Sequence, residues 1–417
     1  MKTTLALLLL AATVGIAGCA RSEADQTVAT SLSFQVIENP AAPGSGEPNL
    51  HTSTDGDVFL SWVEPGAETR HALRFARLED EAWSAPQTIA EGDDWFVNWA
   101  DFPSLVALDK SSPGQALEGL AAHFLARSGP DTYAYDVKIT QSSDGGRTWS
   151  PAIRPHHDGT LTEHGFVSML PWHDGRLLAV WLDGRNTGNA GHDGHGSRGA
   201  MSLRAATLDR DGARYDEAAL DERVCDCCST SAARTPQGAV VVYRDRSDDE
   251  RRDISIVSLS QEGWSTPRTV HDDGWEIKGC PVNGPVVATA GAGVAVAWFT
   301  AAQAIPRVKV AFSSDEGNTF GPPTTVDDGR PVGRVDLVVL PDGSALISWV
   351  EKTADGAEIR VRRVHPDGTH APSTTVALTS ASRASGFPHL ARRGPEIYVA
   401  WTDTAAPSTI RTAVAKL

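Results

Sequence analysis

Beyond its first twenty residues the chain has no long apolar run, and throughout it is poor in lysine, methionine and helical periodicity. Each shortage excludes something. A membrane-crossing helix needs roughly 20 consecutive apolar residues, and nothing after the N-terminus supplies them. Apolar residues do not recur at the three- and four-residue spacing of an amphipathic helix, which argues against helical bundles and α/β layers. Positive charge is outweighed: 37 Lys and Arg stand against 53 Asp and Glu, a formal charge of −16. Neither nucleic acid nor an anionic membrane surface is an expected partner of such a chain.

What is present begins with an export pattern. Lys2 gives a short basic start, Leu5 to Ile16 is apolar apart from Thr13 and Gly15, and small residues follow. That length and those flanks fit a signal peptide rather than a spanning helix. Ile16-Ala17-Gly18-Cys19 is similar to the lipobox of bacterial lipoproteins. The resemblance implies cleavage before Cys19, diacylglycerol on its thiol and an acylated amino terminus, hence anchoring in a lipid bilayer of the cell envelope. Ala20 after the cysteine implies the outer membrane. Residues 1–18 are expected to be the signal peptide, 19–31 a lipidated polar tether, and 32–417 the folded part.

An internal repeat governs the folded part. A short apolar segment closing on an aromatic recurs at Val58–Trp62, Leu177–Trp181, Ala239–Tyr243, Val294–Trp298, Ala345–Trp349 and Ile397–Trp401. Leu120–Leu125 fills the first gap, read as a copy that lacks the aromatic. The segments are rich in Val, Ala, Leu and Trp and mostly follow a Gly or Asp-Gly turn, which are buried-strand and hairpin signals. In the fifth unit Val286–Ala290, Val294–Phe299, Arg307–Phe312 and Pro323–Val326 parse as four strands, a to d. The same grammar starts strand a near Leu50, Phe102, Phe166, Ser231, Val335 and Pro388. The last unit ends after its third strand, and Leu32–Glu38 stands alone at the other end to complete it, a closure that removes sheet edges. The expected fold is all-β: a single β-propeller of four-stranded antiparallel blades, seven rather than six, closed by an N-terminal strand.

Ser142-Ser143-Asp144-Gly145-Gly146-Arg147-Thr148-Trp149 and Ser313-Ser314-Asp315-Glu316-Gly317-Asn318-Thr319-Phe320 share one turn pattern, with worn copies at Asp80–Trp83, Asp211-Gly212, Glu262-Gly263-Trp264 and Asp367-Gly368. The Asp carboxylate can accept turn N–H groups, and Gly supplies a left-handed position. These turns resemble the Asp boxes (BNR repeats) of sialidase-like propellers, and at the level of repeat grammar the resemblance covers the mature chain. Sialidases carry an arginine triad, a Tyr–Glu nucleophile pair and an Asp acid/base. The zone matching their first arginine reads Phe34-Gln35-Val36-Ile37, with no arginine to carry over. Tyr243 sits in the repeated aromatic slot, a poor place for a nucleophile. True sialidases are also six-bladed.

In a propeller the d–a and b–c connections emerge on one face, and the candidates are taken from there. Asp101 and Glu163 form a carboxylate pair suited to glycosidic hydrolysis; Asp245, Arg185 and Arg244 complete the catalytic candidates. Arg185, Arg244 and Arg246, on neighbouring blades, are candidates to clamp a carboxylate or sulfate. Trp99, His164, Lys278, Asn283 and Arg334 are further ligand-binding candidates. Glu64, Asp183, Asp245, Glu351 and Asp403 each lie two residues beyond a b-strand aromatic. An acid recurring in five blades reads as a structural partner of the neighbouring turn.

Cys225-Asp226-Cys227-Cys228 lies in the third-to-fourth blade connection and Cys280 in the next. In an oxidising envelope these four thiols read as two disulfides. One would join the cluster to Cys280 and staple adjacent blades; the other would be Cys225 with Cys228, or the vicinal Cys227 with Cys228. A rival reading is a soft metal ion, copper or zinc, on Cys225 and Cys228 with His192 and His195 of the Gly-rich insertion 186–199; a third is free redox thiols. The insertion is long for a b–c connection and reads as a ligand-shaping loop. No other cofactor is expected. The function expected is a membrane-anchored binding or scaffold propeller for a glycan, small ligand or envelope protein, with exo-sialidase or other glycoside hydrolase as the first alternative and envelope metal handling as the second.

Overall fold

The computed structural model describes residues 32–109, 119–188 and 199–417. The expected signal peptide and tether with Cys19, and the insertion histidines His192 and His195, lie outside the described residues.

The described residues form seven antiparallel blades. The innermost strands (a) are Gly46–Thr52, Ser104–Leu108, His164–Pro171, Ser231–Thr235, Val286–Ala290, Pro331–Val339 and His389–Arg393. Each pairs with its b strand: Val58–Pro65, Gly119–Arg127, Leu177–Asp183, Gly238–Arg244, Gly293–Thr300, Ala345–Lys352 or Glu396–Asp403. Each inner strand touches the next and the last touches the first, so the ring is closed. Closure in the seventh blade follows the expectation from sequence: Gln35–Ile37 pairs with Thr409–Lys416, with Gln35 opposite Val414. The second blade is the least regular, its outer strand reduced to an Ile139–Ile153 bridge among the described residues.

The reason for the repeat is visible in the b strands. Trp62, Trp181, Trp298 and Trp349 are fully buried, and each packs in a cluster that joins neighbouring blades. Across the sheet, Trp62, Trp181, Trp349 and Trp401 lie opposite Arg74, Arg204, Arg360 and Arg411, while Trp298 lies opposite Lys309. The second blade obeys the same rule with Phe124 opposite Lys138. The reading of Leu120–Leu125 as lacking its aromatic is therefore corrected: Phe124 fills the slot and stacks on Trp95 at 4.6 Å. Only the fourth blade departs, with Tyr243 opposite Ser255.

The recurrent acids have the structural role expected in three blades. Glu64, Asp183 and Glu351 accept the indole N–H of their own Trp at 2.9, 2.8 and 2.6 Å. Glu351 also accepts Arg330 N–H at 2.6 Å, tying the strand to the preceding loop. Asp245 differs: Tyr243 donates instead to Asp221 at 2.6 Å.

The two complete Ser-x-Asp turns are superimposable in bonding. Asp144 accepts the Thr148 N–H at 2.9 Å and hydroxyl at 2.7 Å; Asp315 does the same with Thr319 at 2.9 and 2.7 Å. Gly146 has φ +90, and a Cβ there would lie 2.3 Å from the Phe75 ring, so the turn needs glycine for both conformation and space. These c–d turns sit on the face opposite the d–a and b–c connections.

Candidate active site between the second and third blades

The upper ends of the second and third blades bring three acid–base groups together. Asp101 lies just before the second inner strand, Glu163 just before the third, and Tyr135 opens strand c of the second blade, Tyr135–Ser142. The Tyr135 hydroxyl lies 2.7 Å from Glu163 Oε1 and 3.0 Å from Asp101 Oδ2. Asp101, Tyr135 and Glu163 are 2, 1 and 8% exposed, and Phe96 stacks face to face on the phenol at 4.0 Å. One phenol carries one proton. If it goes to Glu163 across the shorter contact, the Asp101 contact needs a proton from Asp101. Burial, with the nearby Glu163 charge, raises Asp101 to about 8, outweighing the Phe166 N–H and Tyr135 bonds that lower it. The trio is therefore a neutral Asp101, a phenol that burial and the two flanking carboxyls hold well above its usual pKa, and Glu163 accepting the phenol's proton. Glu47 borders it, its carboxyl held well above the usual range by burial and by Asp101.

Asp101 also has a scaffolding role that recurs elsewhere in the ring. The inner strands of the first, third and sixth blades each break register at a Gly followed by a left-handed residue: Gly46-Glu47 (φ 54), Gly165-Phe166 (φ 53) and Gly333-Arg334 (φ 56). Asp101 Oδ1 accepts the Phe166 N–H at 2.7 Å, and Asn283 Oδ1 accepts the Arg334 N–H at 2.7 Å. A Cβ on Gly165 would meet Asp101 at 2.0 Å and one on Gly333 would meet Asn283 at 2.2 Å. Asp101 and Asn283 thus hold equivalent bulges. Asp101→Asn should fold for that reason, and it supplies a test of the raised pKa. The folded state keeps a proton that unfolded Asp loses near pH ~4, so this group makes stability fall as pH rises from about 4 to about 8. Asp101→Asn is expected to flatten that part of the stability–pH profile in thermal melts; an unchanged slope would count against a neutral Asp101.

Behind the trio, on the other side of the same strand ends, lies a histidine–carboxylate network. His156 and His164 stack with ring centroids 3.8 Å apart and planes 2° apart. His164 Nδ1 faces the Thr162 carbonyl at 3.1 Å and Nε2 faces Asp158 at 3.2 Å, so both nitrogens have acceptors. Burial opposes charge on His164, but Asp158, Asp183 and Asp136 overcome it and raise its pKa. Burial and the neighbouring His164 charge push His156 down to about 3. Asp136, His156 and His164, and separately Asp158, His164 and Asp183, place ligand atoms within 4.8 Å of one another. Two parallel rings cannot aim in-plane lone pairs at one ion, so this packing admits a metal through at most one imidazole.

Several candidates have partners within the protein. Arg185 is held by Asp183 at 2.7 Å and Glu217 at 3.0 Å, and Arg246 by Asp226 and Glu250 at 3.0 and 2.7 Å. Arg244, 1% exposed, gives its guanidinium to the carbonyls of Asn283, Arg252 and Phe299 at 2.9, 2.6 and 2.6 Å. Arg334 bonds Ser385 and the Gly386 and Ala381 carbonyls. The three expected clamp arginines are thus bound within the protein, and Asn283 is taken up by its bulge. Trp99 is half-buried, stacked on Phe387 at 5.9 Å with Arg334 over its face at 5.1 Å. Lys278 is exposed on the fourth-to-fifth connection. Asp245 is raised to about 6, chiefly by burial.

The staple is as expected: Cys227 and Cys280 form a disulfide across 53 residues. The second expected bond is not formed; Cys225 and Cys228 are buried thiols with Sγ atoms 2.7 Å apart. Cys280→Ser is expected to lower the unfolding free energy by about 2–4 kcal/mol, read as a lower urea midpoint at unchanged slope.

The sequence had named Asp101, Glu163, His164 and Arg185 in this region. It missed Tyr135, Asp136, His156 and Asp158. The available signal was the density of His and Asp across residues 156–164, together with Tyr135-Asp136 at the start of a strand facing the same connection.

No protein-family model and no curated protein matches the chain. Solved structures do. A polysaccharide lyase, a PL25 ulvan lyase bound to -[GlcA(1-4)Rha3S]-, shares 12% identity over 92% of this chain and 96% of its own, with a TM-score of 0.56. A protein of unknown function from Dyadobacter fermentans shares 15% over 93% and 98%, at 0.49. The Hadza microbial sialidase Hz136 shares 15% over 89% of this chain and 66% of its own, at 0.48. At such identities the likeness is one of fold: the chain is a seven-bladed β-propeller whose structural neighbours include sialidases and polysaccharide lyases.

Proposed function

We propose that the protein is an exported propeller, lipid-anchored through Cys19, that cleaves glycosidic bonds at the junction of its second and third blades. The observation that carries this reading is the Asp101–Tyr135–Glu163 chain, in which the environment separates an acid from a base at hydrogen-bond distance. Asp101, neutral at physiological pH, is the proton donor for a leaving oxygen. Tyr135 is the nucleophile; burial and the flanking carboxyls hold its phenol well above the usual pKa, so it attacks only as Glu163 takes its proton. The ulvan lyase and sialidase neighbours make acidic sugars the first substrates to try.

A second reading, a non-catalytic module that binds a glycan or an envelope protein, is supported by the burial of the trio and by the internal pairing of Arg185, Arg244 and Arg246. One experiment separates the two. The mature domain is offered a fluorogenic sialoside, an arabinofuranoside and uronic-acid polysaccharides, with retention on the same immobilised glycans measured in parallel. Product release by the parent and not by Tyr135→Phe supports cleavage. Retention without product supports the binding module, and neither product nor retention overturns both. Mass spectrometry of the membrane-extracted N-terminal peptide tests the anchor: an unmodified Cys19 overturns it.

A further inference from the structure

The four cysteines of the third-to-fifth blade connections are arranged as more than a staple. Cys225 and Cys228 stand in C-x-x-C spacing with Cys227 between them, and their Sγ atoms are 2.7 Å apart. Cys225 Sγ lies within 4.8 Å of both sulfurs of the Cys227–Cys280 disulfide. A buried guanidinium, Arg252 at 1% exposure, donates to Cys225 Sγ at 3.4 Å, while its other arm is held by Glu250 at 2.7 Å. Cys225 and Cys228 are each 1% exposed, whereas Cys280 is exposed. An activated dithiol thus lies beneath a disulfide whose far end reaches solvent. We propose that these residues are a thiol–disulfide exchange site, in which the buried Cys225/Cys228 pair passes two electrons through the Cys227–Cys280 bond to a disulfide-bearing partner at the surface.

The steps balance without a cofactor. The Cys225 thiolate attacks Cys227 Sγ; the Cys225–Cys227 bond forms, the Cys227–Cys280 bond breaks, and Cys280 leaves as a thiolate that takes a proton. Cys228 loses its proton and attacks Cys225 Sγ; the Cys225–Cys228 bond forms and Cys227 leaves as a thiolate. The buried pair is oxidised and the Cys227/Cys280 pair reduced. That pair then attacks the partner's disulfide, the named oxidant, which leaves as two thiols while Cys227–Cys280 re-forms. The local chemistry supports Cys225 as the attacking group. Burial raises its pKa, but the Cys228 hydrogen bond, the Arg252 and Arg244 charges and the Cys227 N–H together bring it down to about 7, while Cys228 is raised. This inference is independent of the glycan reading.

The test uses the mature protein equilibrated in graded glutathione buffers, acid-quenched, alkylated and peptide-mapped. The expected result is two single-disulfide isomers at intermediate poise, Cys227–Cys280 and Cys225–Cys228. In parallel, reduction of 5,5′-dithiobis(2-nitrobenzoate) should be at least ~10-fold slower in Cys225→Ser than in the parent. Cys225→Ser retains the staple, so an unchanged melting temperature shows that the loss is not one of folding. Cys228→Ser should instead trap Cys225 in a mixed disulfide. The proposal is overturned if Cys225 and Cys228 stay reduced until the protein unfolds, if both bonds stay closed across the series, or if the four thiols retain a stoichiometric metal ion.

Discussion

Arg244→Met is expected to destabilise the propeller by about 3–5 kcal/mol, among the largest effects of any single substitution outside the core aromatics. The side chain is 1% exposed and its three donors reach the carbonyls of Asn283, Arg252 and Phe299. Asn283 lies in the connection to the fifth blade and Phe299 on that blade's b strand, so the guanidinium ties two blades together. Its planar group also stacks over Trp275 at 4.8 Å. Methionine keeps the length and the apolar stem but leaves three carbonyls without a donor, each costing about 1–3 kcal/mol if water does not reach it. Arg246→Ala is the control. Its partners Asp226 and Glu250 are partly exposed, and its loss should cost about 1 kcal/mol or less. Urea titrations of the two variants read the difference; equal midpoints would mean that water replaces the Arg244 donors.

The second large effect concerns the proposed chemistry. Tyr135→Phe removes one oxygen and with it both contacts to Asp101 and Glu163. On the cleavage reading kcat should fall by about 10³-fold, within the range for a positioned acid–base or nucleophilic group. The ring stack on Phe96 at 4.0 Å is retained, so the fold should hold. The pH profile gives a separate readout. Asp101 must be protonated to donate, so activity should decline as pH rises through about 8. Asp101→Asn should remove that limb together with most of the rate. Activity that survives Tyr135→Phe within ~10-fold would move the chemistry elsewhere on the upper face.

The blades were legible because each carries its own copy of the signal. A buried aromatic and a turn glycine are local in the chain, with a cation opposite the aromatic in every blade but the fourth, and period alone revealed six copies. Phe124 was overlooked only because its ring is not a Trp or Tyr; Lys138 across the sheet identifies it. The stapled connections were legible too, since propeller order alone makes the Cys227 and Cys280 loops neighbours. The candidate site was half legible. Asp101 and Glu163 could be placed on the right face by connectivity, but Tyr135 joins them from a third segment, where the local signal is no more than Tyr135-Asp136 at the start of a strand. The pairing of the arginines was illegible for a related reason. Surface position is set by the blade, but whether a guanidinium meets solvent or three carbonyls depends on how the next blade packs, as at Arg244.

The pairing of Gln35–Ile37 with Thr409–Lys416 has a consequence for how the chain order matters. Because Gln35 sits opposite Val414, the two ends of the described ring lie side by side in one sheet. A short linker could join them, and the chain could be cut anew at a turn such as Pro341-Asp342-Gly343, between strands a and b of the sixth blade. The latch would then pass to that blade while every inter-blade contact stayed as it is. The ring is thus indifferent to where it starts, and a circular permutant could present its termini on the face opposite the candidate site.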